Sequence, residues 1–106
     1  MGAVEIWRPV PSVPGYLASS LGRIKREPHE GPMPRGLGRR TYGGAPSFGV
    51  WAGTRFIARV PGRTIKVHRM VCEAFHGPAP FDGAVVMHLD EDARNNRSDN
   101  LAWGTQ

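Results

Sequence analysis

Apolar and polar positions alternate over three stretches in the middle of the chain, Phe48 to Trp51, Arg55 to Val60 and Arg63 to Val67, with breaks at Ala52-Gly53-Thr54 and Pro61-Gly62. Period-two alternation bounded by Gly and Pro predicts strands joined by tight turns, here a three-stranded meander. The period then changes. Within His68-Arg69-Met70-Val71-Cys72-Glu73-Ala74-Phe75 the side chains of Met70, Val71, Ala74 and Phe75 fall on one side at helical spacing, and Gly77-Pro78 ends the run. This predicts a short amphipathic helix. After a Pro-rich connector, Ala84-Val85-Val86-Met87-His88 reads as a brief strand, residues 90–99 as a polar loop, and Leu101-Ala102-Trp103-Gly104-Thr105 as a second strand. The fold class that follows is α+β.

The first third of the chain follows a different pattern. Prolines and glycines force turns in Trp7-Arg8-Pro9-Val10-Pro11 and Pro14-Gly15-Tyr16, while Arg23-Ile24-Lys25-Arg26 alternates like a strand with one basic face. Residues 28–47 hold little apolar content and are rich in Gly, Pro and Arg, which predicts a mobile basic loop or linker. Three segments are therefore expected: residues 1–27, a linker over 28–47, and a main domain over 48–106.

A chain of 106 residues with a hydrophobic fraction of 40% has room for one modest core, which excludes two independent large domains. Fourteen Lys and Arg against nine Asp and Glu give a net charge of +5, a balance that suits a polyanionic partner. Four of the nine acidic residues, Asp90, Glu91, Asp92 and Asp99, sit near the C-terminus, so the preceding stretch is more basic than the average. Cys72 is the only cysteine, which rules out an internal disulfide and a zinc site built from several thiolates of one chain. The N-terminus has neither a basic start before an apolar run nor a cleavage-like segment, and no apolar stretch approaches membrane-spanning length. A soluble, reducing, cytoplasmic setting without membrane contact is the expectation.

The segment from Val86 to Thr105 places a histidine at a strand end, then an Asn-rich loop, then Asn100-Leu101-Ala102-Trp103. It resembles the core of the HNH endonucleases, in the branch common among phage and intron-encoded homing enzymes. Upstream, Val67-His68-Arg69-Met70-Val71 with Ala74-Phe75 is similar to the helix before that core. Glu5-Ile6-Trp7-Arg8-Pro9-Val10, Gly15-Tyr16 and Ser20-Leu21-Gly22-Arg23-Ile24 resemble the small nuclease-associated modular domain that often accompanies it, which would make residues 1–27 a DNA-binding segment.

The resemblance implies a ββα-metal core, double-stranded DNA as partner, and hydrolysis of a phosphodiester with a divalent ion, Mg²⁺ or Mn²⁺, stabilising charge on the phosphorus oxygens. An imidazole, with an unperturbed pKa near 6.5, suits the removal of a proton from water, and His88 is the candidate general base. By the family pattern Asn100 holds that ring or its backbone. The sequence departs from the pattern twice. Met87 stands where an Asp often ligates the metal, and a thioether is a poor ligand for a hard cation. The final helix of the motif would lie beyond Gln106, so the core reads as truncated, with a second subunit or another protein available to complete it. Asp90 and Asp92 are weak candidates for metal ligation, since turn chemistry accounts for both.

Bland readings compete with each of these roles. Asn95 and Asn96 suit a loop whose amides cap its own backbone. His68 and Cys72 lie on one helical face with no second cysteine, so packing explains them. Of Trp7, Tyr16, Trp51 and Trp103, three are expected in the interior. Arg23, Lys25, Arg26, Arg35, Arg39, Arg40, Arg94 and Arg97 are read as phosphate contacts that add affinity without reading sequence, against the alternative of a solvated surface. The expected activity is that of a metal-dependent endonuclease or nickase. Its rivals are a catalytically degenerate DNA-binding protein or regulator on the same scaffold and an interaction partner in a phage assembly.

Overall fold

The computed structural model describes residues 4–32, 36, 38–42 and 44–105, with the backbone alone at 29–32 and 39–42. Its order is β1 (Trp7–Pro9), β2 (Tyr16–Ser19), β3 (Ile24–Arg26), β4 (His29–Pro32), β5 (Arg39–Tyr42), β6 (Val50–Trp51), β7 (Phe56–Val60), β8 (Arg63–Lys66), α1 (Val67–His76), β9 (Val85–His88), a single 3₁₀ turn at Ser98–Asn100, and β10 (Leu101–Gly104). Among the described residues there are four small antiparallel sheets and one helix, as expected for a small α+β protein: β1-β2-β3, β6-β7-β8 and β9-β10, which contact α1, and β4-β5.

The meander forms where the alternation places it. Ala58 pairs with Ile65, and both face the core, while Arg59 opposite Thr64 and Ile57 opposite Lys66 lie on the other face. Pro61 and Gly62 make the two-residue turn between β7 and β8, with Gly62 at φ +82°, the conformation that the second corner of a Pro-Gly turn requires. The linker expected over 28–47 is instead largely a hairpin. β4 pairs with β5 in the register His29 to Tyr42 and Pro32 to Arg39. The paired backbone satisfies its own polar groups, which composition alone does not register. Its base is tied down by Gly44 N–H donating to Arg26 O and by the bridge between Ile24 and Ser47.

One core serves the first and last parts of the chain. Val67, Met70, Val71 and Cys72 of α1 are fully buried, and Val10, Val13, Ala18, Ile24, Ala58, Val60, Ile65 and Leu101 join them. Each buried Val, Ile, Leu or Met side chain contributes about 1.5–3 kcal/mol by leaving water. Burial also pushes the Cys72 thiol up to about 11, so it is an inert packing group, as its helical position suggests. Glu73 is buried on the same helix but satisfied. Its carboxylate accepts from the backbone N–H and hydroxyl of Ser12 at 3.2 and 2.9 Å and lies 3.3 Å from Arg69 Nε. Of the four large aromatics, Tyr16 and Trp103 pack against the core. Trp51 stacks edge-on against Phe56, and Trp7 lies beneath Lys25 and Arg23. Among the described residues no helix is long and apolar enough to cross a membrane.

Candidate functional site

β9 ends at His88, opposite Leu101 of β10, and the loop between them folds back on itself through side-chain amides and carboxylates. Asp90 is the hub. Its Oδ1 accepts from Asn100 Nδ2 and Asp92 N–H, both at 2.9 Å, and its Oδ2 accepts from Asn95 Nδ2 at 2.8 Å. These bonds, the one from Asn95 foremost, hold its carboxyl below the usual range. Asp92 accepts from Arg94 N–H at 2.9 Å in the turn role its position predicts. Glu91, at φ +62°, makes the left-handed corner just after Asp90.

The two asparagines divide the work otherwise than the family pattern implies. Asn96, buried to 3% exposure, places Oδ1 2.7 Å from His88 Nε2. Asn100 does not bond the ring. It holds the chain that follows: Oδ1 accepts from Asp90 N–H at 3.1 Å, Nδ2 donates to Asn95 O at 2.8 Å, and its carbonyl accepts from Leu89 N–H. An amide oxygen can only accept, so Nε2 carries a ring proton, and whenever the ring is neutral its lone pair is on Nδ1. That nitrogen makes no hydrogen bond among the described residues and is not fully buried.

A second imidazole adjoins the first. The rings of His68 and His88 meet edge to face with centroids 5.3 Å apart. His68 Nδ1 is buried without a partner. Burial first, then the charge of His88 and of Lys66, Arg55 and Arg69, holds the His68 imidazole down to about 4, so it is neutral near neutral pH.

The residues fit a hard divalent cation poorly. Among the described residues no group of three or more His, Cys, Asp or Glu is placed to hold a metal. The Met87 sulfur folds over Gly104, 2.6 Å from where a Cβ there would stand, and the Asp90 and Asp92 carboxylates serve the loop.

The expected DNA-contacting cations fall into distinct environments. Arg23 is engaged by Glu5, through Nε at 2.8 Å and a second, shorter bond from its terminal nitrogen, and this pair holds Glu5 down to about 2. Lys25 Nζ lies 4.3 Å above the Trp7 ring, and Arg26 is exposed. Arg94 lies 4.2 Å above Trp51, and Arg97 is 3.8 Å from Asp99. Arg35 lies outside the described residues, as do the side chains of Arg39 and Arg40. Nothing in the sequence singles out Asn96 as the partner of the His88 ring or His68 as its neighbour. The alternation of polar and apolar residues in the loop carries no signal of which amide turns inward.

The N-terminal unit touches this site directly. In the turn between β2 and β3, Ser19 Oγ accepts from Arg23 N–H at 3.0 Å, and Gly22 takes φ +93°. A Cβ on Gly22 would stand 2.8 Å from the Asn96 carbonyl carbon and oxygen, and Ser98 N–H donates to Ser20 O at 3.0 Å. No curated protein and no solved structure matches the chain. Residues 66–106, which carry α1, both histidines, the loop and β10, match the family model described as HNH endonuclease, and that part of the chain is similar to this family.

Proposed function

We propose that the protein is a DNA endonuclease or nickase of the homing type in which His88 is the general base, with residues 1–27 and exposed cations gripping the duplex. The observation that carries the reading is the Asn96 oxygen 2.7 Å from His88 Nε2, which leaves Nδ1, without a partner among the described residues, as the acceptor of the neutral ring. Nδ1 takes a proton from water as the water oxygen bonds to phosphorus, and the P–O bond to the leaving sugar oxygen breaks. That oxygen takes a proton from solvent. The imidazolium so formed is stabilised by the Asn96 oxygen, and because His68 is neutral it places no second charge against it. The match of residues 66–106 to HNH endonucleases supports the substrate class. HNH nucleases generally use a divalent metal.

Supercoiled plasmid incubated with the protein and Mg²⁺ or Mn²⁺ becomes relaxed or linear, and His88→Ala lowers the rate by roughly 10²- to 10⁴-fold. Equal activity in both proteins would refute the assignment. A second reading, a DNA-binding protein that has lost cleavage, is favoured by Met87 and by the engagement of Asp90 and Asp92 within the loop. It predicts salt-sensitive DNA binding, no heat of Mg²⁺ or Mn²⁺ binding with DNA present, and an intact plasmid.

A further inference from the structure

A cleft of about 470 Å³ lies between β8, the first turn of α1 and the start of β9. Arg55, Arg63, Lys66 and Arg69 line it together with Thr64 and His68, and no Asp or Glu is among its lining residues. These cations come from three parts of the chain, the β6-β7 turn, β8 and α1, and converge. Two of them are partly committed, Arg63 donating to Ser12 O at 2.6 Å and Arg69 facing the buried Glu73. The other two are not: Arg55 has only a long contact to Thr54 at 3.4 Å, and Lys66 makes no ion pair among the described residues. Their field reaches inward, since Lys66, Arg55 and Arg69 each help to disfavour a proton on His68. Behind them, the first turn of α1 carries no acidic residue, and its N-cap Lys66 makes no side-chain capping bond, so the amide end of the helix adds to the same positive wall. The opposite wall, Ala84 to Val86, is apolar and suits sugar rather than charge.

We infer that this cleft seats the phosphodiester backbone of duplex DNA, on the strand and to the side of the bond that His88 attacks. The inference rests on the proposed function for its substrate and adds the place and the residues. β9 supplies the ruler. From Val86 in the cleft wall to His88 is two strand residues, about 7 Å at about 3.3 Å per residue, close to the step between consecutive phosphates of one strand. His68, which lines the cleft and touches His88, marks the end at which the bound strand meets the base.

The test reads binding apart from cleavage. In the full-length His88→Ala protein, R55Q combined with K66Q removes the two uncommitted cations, and binding to a labelled duplex is followed by fluorescence anisotropy across a salt series. The slope of log K against log salt becomes shallower by roughly 1.8, the loss of two phosphate contacts, and affinity at low salt falls tenfold or more. R59Q, which removes a charge outside residues 1–27 and outside the cleft, leaves the slope unchanged. An unchanged slope in the double variant, or an equal change in R59Q, overturns the assignment. Melting temperatures within a few degrees of the parent show that the variants are folded. A shallower slope with an uncut plasmid leaves the cleft standing and removes the nuclease reading; a cut plasmid with an unchanged slope does the reverse.

Discussion

The imidazole of His68, with its Nδ1 buried, makes the fold acid-sensitive over a defined range. In the unfolded chain a histidine takes up a proton as pH falls through about 6.5, whereas in the folded protein burial and the surrounding cations delay this to about 4. Between those values the unfolded state binds more protons, so stability is complete above the upper one and is lost as pH falls towards the lower. The interval, at about 1.4 kcal/mol per pH unit, corresponds to about 3 kcal/mol, of which about 2 to 3 kcal/mol is gone by pH ~4.5. That is a large part of what a domain of this size has to lose. Urea unfolding of the parent and of His68→Gln across this range separates the contribution, because Glu5, Asp90 and the other titrating groups are common to both. The parent loses about 2 to 3 kcal/mol more than the variant on acidification. Parallel curves would show that the ring is not held neutral by its surroundings, and the picture of a neutral neighbour beside His88 would fall with it.

Three further outcomes follow from the loop. Asn96→Ala frees the ring of His88 and lowers cleavage by roughly 5- to 150-fold, the equivalent of about 1–3 kcal/mol for one buried hydrogen bond. Asn96→Asp keeps the bond but adds a charge that favours the imidazolium, so the acid limb of the pH-rate profile moves to higher pH; a limb that stays in place would exclude contact between the two side chains. Asn100→Ala removes three hydrogen bonds at a buried position and destabilises the protein by about 2–4 kcal/mol, read as a lower melting temperature. Its effect on the salt dependence of DNA binding is small, since Asn100 contacts no cation of the cleft.

Much of the architecture can be read from the chain because periodicity is imposed by burial. The β6-β7-β8 meander, α1 and the β9-β10 pair lie within a residue or two of where alternation and helical spacing place them. The β4-β5 hairpin shows the limit of this reasoning, for a two-stranded ribbon of Gly, Pro and Arg gains its order from backbone pairing and leaves no apolar stripe. The candidate base was visible through the strand-end histidine. Its partner was not, because Asn95, Asn96 and Asn100 are chemically identical and only the path of the loop decides that Asn96 turns to the ring and Asn100 to the backbone. The cleft was hidden for a different reason. Arg55, Arg63, Lys66 and Arg69 form no run, and only the folding of three elements onto one another collects them.

The close approach of Gly22 to the Asn96 carbonyl, with the Ser20 to Ser98 hydrogen bond beside it, bears on how such proteins can be recombined. A foreign N-terminal segment grafted at the end of β3 would need a residue without a side chain at that corner and a carbonyl in register with position 98. Otherwise it would push on the very peptide that aims the Asn96 amide. Exchange of this segment is thereby restricted to donors that share the corner, and a mismatched chimera would leave the imidazole mis-set.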